Sequence, residues 1–163
     1  MRTLIIMILF NFISTQEITF NDSTTYIDIA KYLGKWYEIA RLDHSFEKNM
    51  EKVTAEYILQ HDGSIKVINS GYRKGKHKVA EGKAKTTNTP GLLRVSFFMN
   101  IYSDYRVLYI DENYEYVLVG GSSPRYLWIL SRKPQLSEEI IASLIENAKE
   151  RGYNTEDIIM VHQ

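Results

Sequence analysis

The chain has 163 residues, one domain's length, and a folded monomer of that size buries about 70% of the surface its unfolded chain exposes. Twenty Lys and Arg balance twenty Asp and Glu, which removes the bulk positive field that nucleic-acid binders carry. A hydrophobic share of 44% argues against global disorder, and the absence of cysteine excludes disulfides, thiol nucleophiles, zinc ribbons, iron–sulfur clusters and a lipid anchor on cysteine.

Arg2 precedes the uncharged run Leu4–Ile13, which is broken by one polar residue, Asn11. Such a run is too short to span a bilayer and fits the apolar region of a secretory signal. Residues 1–16 are therefore expected to be a signal peptide, with Ser14, Thr15 and Gln16 as a weak cleavage region; the alternative is a buried first strand or helix. Cleavage there leaves 19 bases against 20 acids on an exported chain, periplasmic or secreted. Residues 17–163 then form a single domain, opened by a polar stretch, Glu17–Thr25, that reads as a loose leader.

From Gly34 to Arg132 short apolar runs alternate with turn residues. The runs are Trp36–Leu42, Val53–Leu59, Ile65–Tyr72, Val79–Thr86, Leu92–Phe98, Tyr105–Ile110, Tyr114–Gly120 and Tyr126–Ser131. Their spacing of about twelve residues is that of an all-β domain. Asp62-Gly63, Lys74-Gly75, Asn88-Thr89-Pro90-Gly91, Asp111-Glu112-Asn113 and Gly121-Ser122-Ser123-Pro124 supply turn chemistry between them. Connections this short make sequential neighbours antiparallel, a meander.

Within the runs, Val53, Ala55, Tyr57 and Leu59 share one face, and Leu93, Val95 and Phe97 oppose Arg94 and Ser96. Ala80, Gly82 and Ala84 oppose Glu81, Lys83 and Lys85. The apolar face mixes small residues with aromatics, and twelve of the twenty aromatics are tyrosines. Eight antiparallel strands closed into an up-and-down barrel leave room for one small ligand; a two-sheet sandwich and a filled barrel are the competing arrangements.

The period changes after Pro134. Ser137 reads as an N-cap, Glu138 and Glu139 as a first turn, and Ile140, Ile141, Leu144, Ile145 and Ala148 as one helical face. This helix is expected to pack outside the barrel on Tyr37, Ile39, Val117, Val119, Leu127 and Ile129, and not on a membrane.

Tyr32-Leu33-Gly34-Lys35-Trp36-Tyr37-Glu38-Ile39-Ala40-Arg41 carries a G-x-W signature, Ser103-Asp104-Tyr105 is similar to a T-D-Y signature, and Tyr126–Arg132 ends its strand on an arginine. In that order, with a helix afterwards, these segments resemble the lipocalin family, specifically its bacterial outer-membrane branch and the apolipoprotein-D-like members. The resemblance spans roughly Asp28 to His162. It implies structural roles for Gly34, Trp36, Asp104 and Arg132, with the Arg132 guanidinium over the Trp36 indole at the closed end. It implies a carrier or store of fatty acids or lysophospholipids in the cell envelope, not an enzyme, with no cofactor. A tetrapyrrole or other ring ligand is the alternative; a non-cysteine isomerase using Glu38 or tyrosines is a weaker one. Bacterial members are typically lipoproteins anchored through cysteine, so its absence points to a periplasmic or secreted protein, associated with the outer membrane at most peripherally.

By alternation the residues expected to face the ligand are Ala40, Val53, Ala55, Tyr57, Val67 and Asn69 in the first half. In the second half they are Phe97, Tyr105, Val107, Tyr116, Leu118, Tyr126, Trp128 and Leu130. Tyrosine hydroxyls and Asn69 are suited to hold a carboxylate or glycerol group. Arg73, Lys74, Lys76, His77 and Lys78 make a basic hairpin tip, read as a solvated turn or as a contact for anionic lipid headgroups. His44, His61, His77 and His162 lack metal-ligand spacing and are read as solvent-facing. A homodimer stays open, although no self-complementary patch is legible.

Overall fold

In a computed structural model, which describes residues 19–163, the apolar runs become strands close to their expected bounds. They are β1 (Gly34–Leu42), β2 (Met50–Leu59), β3 (Ile65–Arg73), β4 (Lys76–Thr86), β5 (Leu92–Ser96), β6 (Ser103–Ile110), β7 (Tyr116–Gly120) and β8 (Leu127–Ser131). The signal peptide expected at residues 1–16 lies outside the described residues. Each strand pairs antiparallel with the next, and β8 returns to β1, which also pairs with β2 over Gly34–Tyr37. The meander is therefore closed and has no long free edge. Lys74 and Gly75 both take positive φ, the two-residue turn that matches strand twist, and Arg73 pairs with Lys76 across it.

One end of the barrel is stoppered. A short helix α1 (Ile29–Tyr32), capped by the Asp28 carboxylate accepting from the Ala30 N–H at 2.9 Å, leads into β1. Trp36 is fully buried and its Nε1 donates to the Tyr32 carbonyl at 2.9 Å. Arg132 lies 3.8 Å over the indole centroid and donates to the carbonyls of Lys31 (2.7 Å) and Lys35 (3.0 Å). Gly34 has φ +93°, a backbone conformation that favours glycine, and a Cβ there would only touch Arg132 Nη1, at 3.4 Å.

Two apolar clusters share the barrel wall. The inner one contains Trp36, Tyr32, Val107, Val117, Val119 and Leu130; the outer one joins Ile39, Leu118, Leu127 and Ile129 to helix α2 (Glu138–Glu150). Ser137 caps α2 by accepting from the Ile140 N–H at 3.4 Å, and Leu144 and Ala148 are its buried residues. Tyr37, Ile39, Leu127 and Ile129 meet the helix side as expected, but Val117 and Val119 do not: they face the interior.

Two β-bulges reset the alternation within β1 and β6. The β1–β8 register shifts between Glu38 and Ala40, and the β6–β7 register between Val107 and Tyr109. An extra residue reverses the alternation beyond it. Ala40 therefore joins the outer cluster and Arg41 is buried against Glu38, while β7 keeps a regular register with β8 and its Tyr116 and Leu118 pack under α2. These three, expected to face the ligand, are on the other side of the wall. β7 is apolar at Val117, Leu118 and Val119 because both of its faces are covered, so its pattern carries no phase.

Two further elements were not legible. After a 3₁₀ turn (Thr155–Asp157), a short strand β9 (Ile158–Met160) pairs with Ala40–Leu42, where β2 has diverged from β1. Nor is the described part of the leader loose: the Asn21 N–H donates to Arg151 O (2.8 Å), Arg151 Nη1 to Ser23 O (2.9 Å), and the Thr25 N–H to Val107 O (2.9 Å).

Candidate ligand-binding site

Above the stopper the barrel holds a cavity of about 350 Å³, at the lower end of the range for small-molecule sites. Its floor is Tyr57 and Tyr105, with Tyr32 beneath. The Tyr57 hydroxyl donates to that of Tyr105 at 2.9 Å, and the Tyr32 and Tyr105 hydroxyls are 2.6 Å apart. Burial, the largest cause, raises all three hydroxyls well above the ordinary phenol value, so they stay neutral donors. Three hydroxyl protons serve two bonds, so one is left to donate elsewhere, from Tyr105 into the cavity if it accepts from both neighbours.

The walls are apolar where β2, β3, β5 and β8 contribute Val53, Ala55, Val67, Val95 and Leu130, with Trp128 above. Asn69 interrupts them: its Oδ1 is buried without a hydrogen-bond partner among the described residues. Gly82 has its own reason for being small, since a Cβ there would meet the Phe97 ring at 2.6 Å.

One wall is charged. Glu38 and Glu47 both border the cavity. Arg41, buried beside them, donates from Nη1 to Glu38 Oε1 and from Nη2 to the Glu47 carbonyl, each at 2.7 Å. Trp128 Nε1 donates to Glu47 Oε2 at 3.0 Å; His44 Nε2 is equally close to that oxygen but off the hydrogen-bonding line. Burial first, then the Glu47 charge, lift Glu38 to about 8 against the pull of Arg41, so Glu38 carries a proton at neutral pH. The C-terminal residue Gln163 ties this wall together, its Nε2 donating to the carbonyls of Glu38 (2.6 Å) and Val53 (2.9 Å).

The open end is built from loops 43–49, 74–75, 97–102 and 121–126. His44 stacks on Phe46 at 3.9 Å between centroids, and Tyr126 stacks on Trp128 at 6.1 Å. His44 is thus buried in an aromatic stack, with its side chain 7% exposed, and not in solvent as its sequence setting suggested. Phe98, Met99 and Ile101 are 69%, 77% and 67% exposed.

Val53, Ala55, Tyr57, Val67, Asn69, Phe97, Tyr105, Trp128 and Leu130 all line the cavity. Val107 faces inward but is packed around Trp36; Tyr126 belongs to the aromatic stack; Ala40, Tyr116 and Leu118 are outside. Gly34, Trp36 and Arg132 form the stopper, whereas Asp104 sits at the other end of the barrel, paired with Arg94 (3.2 Å) and Arg106 (2.7 Å), and borders the cavity. Glu38, Phe46, Glu47, Phe98 and Ile101 line it too, without having been singled out as ligand contacts. The last four come from loops, where alternation has no meaning. Val95 was legible, since it shares the parity of Phe97. Among the described residues no group of His, Asp or Glu is arranged to hold a metal ion.

The sequence profile of a lipocalin-like domain matches residues 27–163. The chain is 50% identical to the outer membrane lipoprotein Blc of Vibrio cholerae over 141 residues, which cover 83% of this chain and 82% of that protein. It is 45% identical to the outer membrane lipoprotein Blc of Escherichia coli K12, over 83% of this chain and 79% of that one. Among solved structures, insecticyanin from the tobacco hornworm Manduca sexta superposes with a TM-score of 0.72 at 20% identity, covering 86% and 83% of the two chains. That likeness shows a shared fold.

Proposed function

This chain belongs to the lipocalin family, whose members bind small hydrophobic molecules, and on that premise we propose that it carries or stores single-chain amphiphiles, fatty acids or lysophospholipids. The observation that carries the reading is a narrow apolar cavity, open at one end and ending on a floor of tyrosines. Each square ångström of apolar chain buried there contributes about 25 cal/mol, and Asn69 Oδ1 and a floor hydroxyl are polar partners for a group along the chain.

As a carrier it belongs in the cell envelope, in line with the names of its bacterial relatives, which are outer membrane lipoproteins. There it works in the periplasm or after secretion, without a lipid on cysteine. At the mouth, Phe98, Met99 and Ile101 together with the hairpin Arg73, Lys74, Lys76 and Lys78 are its contact with an anionic membrane.

Displacement of a fluorescent fatty acid from the full chain tests the carrier reading, set beside absorbance titrations with haem and a bilin. Saturable displacement by palmitate or a lysophospholipid, with unshifted tetrapyrrole spectra, is the expected result. Tetrapyrrole binding without displacement would hand the site to the ring-ligand alternative, and indifference to every amphiphile would end the carrier reading.

A further inference from the structure

Polarity on the inner face of β3 and β4 is graded along the barrel. On β3 the inward residues run Val67, Asn69, Gly71, Arg73 toward the mouth; on β4 their partners are Gly82, Ala80, Lys78 and Lys76. Apolar surface gives way to an amide, then to cations. From Asn69 to Arg73 the strand rises about 13 Å at about 3.3 Å per residue.

At the mouth these residues line a second chamber, bordered by Arg73, Lys78, Met50 and Val79, which is continuous with the deep cavity through Phe46, Glu47, Val53, Asn69 and Phe97. Among the described residues no Lys or Arg borders the deep cavity, where the carboxylates are Glu47 and the Arg-paired Asp104, beside the protonated Glu38. Arg41 lies beside it but does not border it, and its Nη1 and Nη2 are committed to Glu38 and the Glu47 carbonyl, its Nε being buried without a partner among the described residues. An anion drawn into the deep cavity would pass the Glu47 carboxylate and end on neutral tyrosines, with no bordering cation to answer it.

The cations of the outer chamber border it directly. Arg73 spends Nη2 on the Phe46 carbonyl at 2.6 Å, and its Nε is buried without a partner. Lys78 is exposed and, among the described residues, makes no ion pair. Arg73 Nε is an unanswered donor, and a carboxylate or phosphate oxygen is the acceptor that suits a guanidinium beside an ammonium.

We propose that the Arg73–Lys78 chamber is a headgroup subsite for anionic amphiphiles, which enter tail first and leave the charged head at the mouth. This rests on the carrier reading and deepens it: it moves the head from the tyrosine floor to the mouth and makes anionic charge a determinant of affinity.

The test compares the full chain with its R73Q/K78Q double variant, titrated with three probes of equal chain length: palmitate, hexadecyl phosphate and hexadecanol. Trp128 fluorescence reports binding. The variant should lose about tenfold in affinity for palmitate, hexadecyl phosphate or both, with hexadecanol within about twofold. A loss confined to one anion identifies the head, carboxylate or phosphate. In the unsubstituted protein, anion affinity should fall between about 0.02 M and about 0.5 M salt, and K133Q/K149Q, an equal change in net charge at residues that line neither chamber, should leave all three probes unaffected. Equal losses for anions and alcohol, or no loss for either anion, overturns the subsite while the carrier reading stands. If the unsubstituted protein binds none of the probes, the carrier reading itself falls and takes the subsite with it.

Discussion

The two ends of the barrel are built from similar residue types, aromatics beside cations, and put them to opposite use. At the closed end Trp36 is fully buried, its N–H is answered by Tyr32, and Arg132 lies on the indole and satisfies carbonyls of Lys31 and Lys35. At the mouth Phe98 and Met99 stand in solvent, and Arg73 Nε has no partner. A cation packed on an aromatic and answered by carbonyls is a stopper. The same residue types left open give an exposed apolar rim and an unanswered donor.

Trp36→Ala should cost about 3–5 kcal/mol, the range for a large aromatic removed from a core, read as a drop in the urea midpoint. A cost no larger than that of a mouth substitution would dissolve the contrast between the ends.

Glu38 supplies the next effect. Its folded-state value of about 8 exceeds its ordinary 4.5, so between those values the folded chain keeps a proton that the unfolded chain has shed. Stability should therefore fall as pH rises through that window, by at most about 1.4 kcal/mol per pH unit. Glu38→Gln should flatten the slope, and urea unfolding at several pH values between about 5 and about 8 measures it. An unchanged slope would show that Glu38 is ionised throughout.

Arg132→Lys keeps the charge but loses the planar fork, and should cost about 1–3 kcal/mol in the same unfolding measurement. The smallest effect on stability belongs to the mouth: Phe98→Ser with Met99→Ser should stay within about 0.5 kcal/mol. Co-sedimentation with anionic vesicles should nevertheless drop clearly, and vesicle binding that ignores the pair would confine the rim's role to the soluble ligand.

Legibility in the sequence followed solvent exposure. Val53, Ala55, Tyr57, Val67 and Asn69 were placed correctly in the cavity because β2 and β3 keep a polar outer face that sets their phase. Leu118 and Tyr116 were misplaced because helix α2 covers the outside of β7. Ala40 was misplaced by a bulge that nothing in Glu38-Ile39-Ala40 announces. His44 and Glu47 lie on a loop whose polar composition reads as exposed, yet both are buried against Trp128.

The sequence by itself determined the eight-strand meander and the capped helix after it, because period, turn residues and caps are local properties of the chain; the Gly34–Trp36–Arg132 stopper was implied only by the resemblance to a family. Tertiary structure alone decided which face of β1 and β7 looks inward, the burial of Glu38 beside Arg41, and the joining of the deep cavity to the Arg73–Lys78 chamber. Those depend on register, bulges and groups brought together by barrel closure, and closure joins residues too far apart in sequence for any local pattern to record.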